Sequence, residues 1–297
     1  MTIAIAPGGP GSRPTWTSSA KDMVTTALGT SRVWVTLGYG ILNEVYWPAT
    51  GLPQIRDLGF IVAGPSEWFE VKRVNRYHVS MPDDWVPLPQ IAHEGDGYRL
   101  LIEVLPDPSR DVVLILYRLT GDNVNLYALL APHLSNGGEH NNARAADDLT
   151  AWKDDTALCL LSDAGFSRSS AGYVGASDGW QDFSRNGRMT WEYGEAIDGN
   201  VALLGELPAT QGTLAIGFSD SGFCARYNNR EGFRAMRKAS PWPVASDEKG
   251  HCRLHGGASG SVALLANGVG NTVTASGPRP RLRALLKVLR AGLTEHE

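Results

Sequence analysis

The chain is poor in cysteine, and what cysteine it has is badly placed for chemistry. Cys159, Cys224 and Cys252 are the whole supply in 297 residues, odd in number and scattered. Without CxxC spacing they support neither a disulfide framework nor a zinc site. Cys159 lies in the apolar run Ala157-Leu158-Cys159-Leu160-Leu161 and reads as a buried thiol. No stretch approaches the roughly 18 apolar residues of a membrane span. The seven histidines show no HxH or HExxH spacing, so no metal site is expected. GxGxxG and GxxxxGK[ST] are missing as well, which leaves nucleotide-binding chemistry, and any cofactor, without support. The start, MTIAIAPGGPGSRPTW, has no basic n-region and no adequate apolar h-region, so cytoplasmic residence is the default expectation.

What the chain does have is 34 glycines and 17 prolines, which favour many turns over long helices. With 42% hydrophobic and 20% charged residues it has the composition of an ordinary globular protein with a sizeable core. Charge is unevenly spread. Residues 221–297 hold 12 Lys and Arg against 5 Asp and Glu, a balance of +7. The whole chain carries −4, so residues 1–220 carry −11. The texture changes at the same point, which divides the chain into a domain over 1–220 and an atypical basic tail over 221–297. In the tail, Leu282, Leu285, Leu286 and Leu289 share one face of a short amphipathic helix. The helix lacks the interleaved aromatics of a nucleic-acid surface, and neither a nucleic-acid nor a membrane partner is expected.

Between 31 and 220 the pattern is short apolar-rich runs punctuated by Gly, Pro, Asn and Asp. Strands are predicted at 32–37, 41–46, 57–63, 67–73, 98–105, 111–119, 124–131, 156–162, 171–175, 188–194, 200–206 and 212–218. Several alternate apolar with polar, as in RVWVTL and DVVLILYRL. Gly95-Asp96-Gly97 and Thr120-Gly121-Asp122-Asn123 read as hairpin connections. The polar segment 132–150 reads as a long loop. A dozen such runs argue for a large antiparallel sandwich.

Two constellations carry candidate chemistry. The first is Asn43-Glu44-Val45-Tyr46-Trp47-Pro48 followed by Gln54-Ile55-Arg56-Asp57. On a strand Glu44 and Tyr46 share one face, while Asn43, Val45 and Trp47 share the other. Glu44 and Asp57 could be the carboxylate pair of a glycosidase, or Arg56 and a neighbouring acid could form a buried, hydrogen-bonded pair. The second is Ser177-Asp178-Gly179-Trp180-Gln181-Asp182-Phe183, then Met189-Thr190-Trp191-Glu192. Aromatic faces beside acids and amides suit a sugar surface, because a pyranose packs its CH face on a ring. They equally suit a turn clamped by Asp and followed by an aromatic core strand. Tyr46, Trp47, Asp178, Trp180 and Trp191 are the candidate sugar-binding residues; no catalytic residue is assigned.

GILNEVYWP, PQIRDLGFIVA, LLAPHL, VGASDGWQDFSRNGRMTWEY, GNVALLGELP and GTLAIGF together resemble the N-terminal domain of bacterial glucodextranases and glucoamylases, glycoside hydrolase family fifteen. The resemblance runs from about Pro7 to Phe218. It implies a many-stranded antiparallel β supersandwich of the galactose mutarotase-like type. It also implies an (α/α)6 barrel as partner, which in complete relatives supplies both catalytic glutamates and hydrolyses terminal α-linked glucose. Twelve helices do not fit after residue 220, so the expectation is an orphan accessory domain, inactive alone, whose gene is truncated or frame-shifted near that point. The alternatives are a stand-alone binding module for α-glucan oligosaccharides, and a glycosidase using Glu44, Asp57 or Glu192.

Overall fold

Short alternating runs with tight turns leave the chain one economical solution, two sheets that bury their inner faces against each other. A computed structural model describes residues 3–17, 21–25, 27, 31–81, 89–107 and 111–219, with the backbone of two short strands at 244–246 and 252–254. The first strands are β1 (Met23–Val24), β2 (Trp34–Gly38), β3 (Ile41–Tyr46), β4 (Ile55–Ala63) and β5 (Trp68–Glu70), which lead into a single turn, α1 (Val71–Val74). Next come β6 (Tyr77–Ser80), β7 (Gln90–Gly95), β8 (Tyr98–Pro106), β9 (Val112–Gly121) and β10 (Asn125–Pro132), closed by a 3-10 turn at Leu134–Asn136. β11 (Asn141–Ala145), β12 (Leu149–Lys153), β13 (Thr156–Ser162) and β14 (Arg168–Tyr173) precede the helix α2 (Gly179–Asn186). β15 (Glu195–Gly199), β16 (Val201–Leu207) and β17 (Gln211–Ser219) complete the body.

One sheet has eight strands in the order β1-β2-β3-β4-β10-β16-β14, with β5 also on β4; the other has nine, β15-β11-β12-β13-β17-β9-β8-β7-β6. All these strand pairs are antiparallel. The chain is thus an all-β sandwich. Val244–Ser246 and Cys252–Leu254 form a separate two-stranded ladder. The rest of the basic tail, including its Leu282–Leu289 face, lies outside the described residues.

Register decides what the core contains. Leu58, Phe60 and Val62 of β4 lie opposite Leu130, Ala128 and Leu126 of β10, and all six join the main core. From the other sheet come Val113, Ile115, Tyr117 and Leu119 of β9, the alternate residues of the run that sequence periodicity singled out. Of the two predicted hairpins one forms; Thr120-Gly121-Asp122-Asn123 instead carries the chain from β9 in the nine-stranded sheet to β10 in the eight-stranded sheet, and those two strands do not pair. Asp96-Gly97 joins β7 to β8 with Gly97 at φ +79, a conformation that a Cβ would strain.

Three further expectations need correction. Residues 188–194 do not form a strand; the strand begins at Glu195. The Asp182 carboxylate accepts from the Thr190 and Trp191 amides at 2.6 and 2.7 Å, and from the Thr190 hydroxyl at 2.6 Å. Those amides are thereby satisfied without a ladder. Segment 132–150 is not one loop but a 3-10 turn and the start of the β11–β12 hairpin. Residues 67–73 divide into β5 and α1.

The outer face of the eight-stranded sheet carries a second, smaller core. Ile61, Ala63, Tyr127 and Leu204 meet Phe183 of α2 and Met189, with Trp68 packed alongside. Phe183 is completely buried, 5.0 Å from the Tyr127 ring and 5.5 Å from Trp68. Phe183→Ala is expected to destabilise the fold by about 3–5 kcal/mol, read as a lower urea midpoint with an unchanged slope.

Candidate functional site

Three of the sequence motifs converge on one end of the sandwich, and Gln54 joins them. Its backbone amide donates to the Val45 carbonyl at 2.8 Å, and its own carbonyl accepts from the His133 amide at 3.0 Å. Its side-chain Nε2 donates to the Trp47 carbonyl at 2.6 Å while Oε1 accepts from the Ser135 amide at 2.8 Å. Ser135 and Asn136 both adopt left-handed φ, 53° and 62°, so the loop after β10 needs this outside support. Asn141 adds more, with Oδ1 accepting from the Leu134 amide and Nδ2 donating to the Gly137 carbonyl.

The candidate acids are all engaged. Glu44 is buried and accepts from Thr36 Oγ1 at 2.8 Å, from Thr17 Oγ1 at 2.9 Å and from the Lys21 ammonium. Asp57, also buried, takes Lys72 at 2.7 Å and Arg56 at 3.3 Å. Glu192 is exposed and pairs with Arg168 at 2.8 Å. A glycosidase pair needs two carboxyl groups free to face a sugar, one of them able to hold a proton. Here the acids hold strands and loops together.

The five candidate sugar-binding residues fall into two groups. Tyr46 is half-buried at the end of β3, and burial followed by the Glu44 charge raises its phenol pKa. Trp47 is only 1% exposed, stacked on Phe218 at 6.1 Å with the Arg32 guanidinium 5.3 Å from its ring, so it offers no open face to a pyranose. Asp178 is buried at the start of α2, where it accepts from the Gln181 amide at 3.0 Å and the Gly175 amide at 2.6 Å. That is an N-cap. Burial pushes its carboxyl pKa upward, opposed by these backbone donors.

Trp180 and Trp191 are half-buried. The Trp180 indole donates to Glu70 at 2.7 Å, and Arg73 lies 4.5 Å from its ring. Arg185 lies 5.4 Å from the Trp191 ring. Each of these cation–π contacts occupies one face of its indole. Residues 175–179, Gly-Ala-Ser-Asp-Gly, also fit GxSxG between a strand and a helix, a spacing easily overlooked beside the acids. The Ser177 hydroxyl is buried and accepts from the Tyr173 amide at 3.0 Å, so it too is structural.

One residue to which the sequence assigns no role stands out at the motif end. His133 is 1% exposed, and among the described residues neither ring nitrogen has a partner. Trp16 meets it edge-on at 4.7 Å. Burial, with the Arg56 charge next, lowers its pKa to about 4; Asp57 opposes and Lys153 assists. Both side-chain atoms of Asn43 and Nε of Arg56 are likewise buried without partners. Leu42 faces Leu58 across β3 and β4, so Asn43 follows beside Asp57. The signal for His133 was its place directly after a strand, inside LLAPHL. Among the described residues no group of three or more His, Cys, Asp or Glu could hold a metal, and no helix is long and apolar enough to cross a membrane.

Residues 6–238 match the family described as glucodextranase, domain N. A glucoamylase of Clostridium sp. (strain G0005) is 29% identical over 210 residues, 66% of this chain and 30% of that protein. The crystal structure of a bacterial glucoamylase complexed with acarbose matches 74% of this chain and 35% of its own, at 26% identity and a TM-score of 0.71. The chain therefore spans about a third of the length of these relatives. The family match also runs past residue 220.

Linkage gives His133 a sign. Its folded pKa lies below the 6.5 of the unfolded chain, so between the two the unfolded state binds more protons. Its stabilisation is complete above pH 6.5 and is lost as pH falls toward 4. The loss reaches about 3 kcal/mol at most. His133→Phe is expected to remove that part of the pH dependence, seen as a smaller fall in denaturant midpoint from pH 7 to 4 than in wild type. Gln54→Ala is expected to cost roughly 1–3 kcal/mol by the same assay, because it strips the partner from the buried Trp47 carbonyl and from the partly buried Ser135 amide.

Proposed function

The chain belongs to the glucodextranase domain N family, and on that premise we propose that it is the accessory β-sandwich of a glucodextranase- or glucoamylase-type glucan hydrolase. In this reading it supports an (α/α)6 catalytic barrel and does not itself cleave glucan. The observation that carries the reading is the engagement of the motif acids. Glu44, Asp57 and Glu192 each meet a cation, and Glu44 meets two hydroxyl donors besides. A site evolved to move protons at a glycosidic oxygen leaves its acid accessible to substrate. These groups instead fix the shape of one end of the domain.

A second reading, a binding module for α-glucan oligosaccharides, draws on Trp180 and Trp191 alone. Unlike the buried Trp47, both are half-buried. For Trp180 to stack on a sugar, Arg73 must first leave its ring.

Incubation of the purified chain with maltotetraose and isomaltotetraose is expected to release no glucose from either. Release that disappears in Glu44→Gln would overturn the accessory reading. Titration with the same sugars is expected to give no saturable tryptophan quenching. Quenching that is lost in Trp180→Ala or Trp191→Ala would establish the binding module instead.

A further inference from the structure

The nine-stranded sheet is apolar on its outward face as well as its inward one. Val104 of β8, Ile115 of β9, Leu160 of β13 and Ile216 of β17 point into the main core. Their immediate neighbours Leu105, Leu114, Leu161 and Ala215 therefore point the other way. Register lines these four up: Leu105 lies opposite Leu114, Leu114 opposite Ala215, and Ala215 opposite Leu161. None is more than 4% exposed, and none belongs to either of the two cores described above. Both helices serve the other sheet, α2 lying against β14 and β16 and α1 mainly against β4 and β5.

We propose that the basic tail beyond Ser219 is the cover of this face, with Leu282, Leu285, Leu286 and Leu289 laid along the row. The path of the chain points to the tail. β17 is one of the four strands of the row, it ends at Ser219 beside Ala157, and the sequence runs on to Glu297. Size agrees. The row crosses three strand gaps, about 14 Å at the usual spacing. From Leu282 to Leu289 a helix rises about 11 Å. Charge agrees too, since the tail carries +7 and residues 1–220 carry −11.

One acid marks the place of a cation. Glu103 lies two residues before Leu105 on the same face and is buried. Its Oε1 accepts from Gln90 Nε2 at 2.6 Å, while the buried Oε2 has no partner among the described residues. Burial raises its carboxyl pKa, opposed by the Gln90 bond and the Arg118 charge. Leaving such an oxygen unpaired is costly. Arg281, Arg283 and Arg290 flank the leucine face at helical spacing, so a guanidinium reaches the acid while the leucines pack. A face held by the chain's own tail is also withheld from other chains.

The test reads Cys159, which sits between the core residues Leu158 and Leu160, points outward and is 4% exposed. In the full chain carrying Cys224→Ser and Cys252→Ser, the rate of its alkylation by iodoacetamide is measured under native conditions. Labelling is expected to be slow, and Leu285→Asp with Leu289→Asp is expected to speed it at least tenfold. The circular dichroism and melting temperature of the sandwich should stay unchanged, which separates an uncovered face from lost folding. Trypsin gives a second reading that needs no variant. In the full chain the bonds after Arg283 and Arg290 are expected to be cut at least tenfold more slowly than in a synthetic peptide spanning 278–294. Labelling that the double substitution leaves unchanged, or cleavage at the peptide's rate, overturns the proposal. Labelling that slows with chain concentration, alongside a dimer in sedimentation velocity, also overturns it and gives the face to a second copy. None of these outcomes touches the accessory reading, which the glucan assays test separately.

Discussion

Gln54 is buried and uses its backbone amide, its backbone carbonyl and both ends of its side chain at the same time. Through it, the segment after β3, the start of β4 and the left-handed loop after β10 become one unit. A buried polar backbone without a partner costs on the order of 1–3 kcal/mol per group, and irregular loops expose many such groups. Only a side chain with both a donor and an acceptor can serve the Trp47 carbonyl and the Ser135 amide together. The geometry of the motif end, and with it the seat of Trp47 on Phe218, follows from that requirement.

Asp182 does for the opposite motif what Gln54 does for this one. Its carboxylate satisfies two consecutive amides after α2 and also takes Asn186 at 2.8 Å. Asp178 caps the same helix. The residues that look most like sugar-binding chemistry in the sequence are thus the ones that shape turns. A family signature can be chemically odd because a fold needs an odd turn, and the glucodextranase domain N signature is largely of that kind. In the proposed accessory role the domain supplies shape and contact surface, and Glu44, Asp57 and Glu192 are each engaged by a cation.

Much of the architecture was legible beforehand. The run at 111–119 alternates, and Val113, Ile115, Tyr117 and Leu119 do face the core. Asp96-Gly97 announced its hairpin through the one residue that tolerates the turn. Residues 188–194 misled because Met, Thr, Trp and Tyr favour strands, yet whether an extended segment joins a ladder depends on who takes its amides. β11 and β12 escaped notice because NNARA has too little apolar content to signal a strand; it pairs because neighbours on both sides supply ladders. His133 escaped for another reason, since nothing local distinguishes a buried histidine from one in solvent.

By itself the sequence determined the all-β class, the sandwich and the position of most strands, because these rest on period-two patterning and on turn chemistry that acts over a few residues; the family was legible through the resemblance of whole motifs. Only the tertiary structure decided which acids are free and which are taken. Glu44 meets Lys21 and Thr17 across more than 20 positions of chain, Trp180 meets Glu70 across 110, and Trp47 meets Phe218 from the other sheet. Contacts of that span are set by how two sheets register on each other, and no local pattern encodes them.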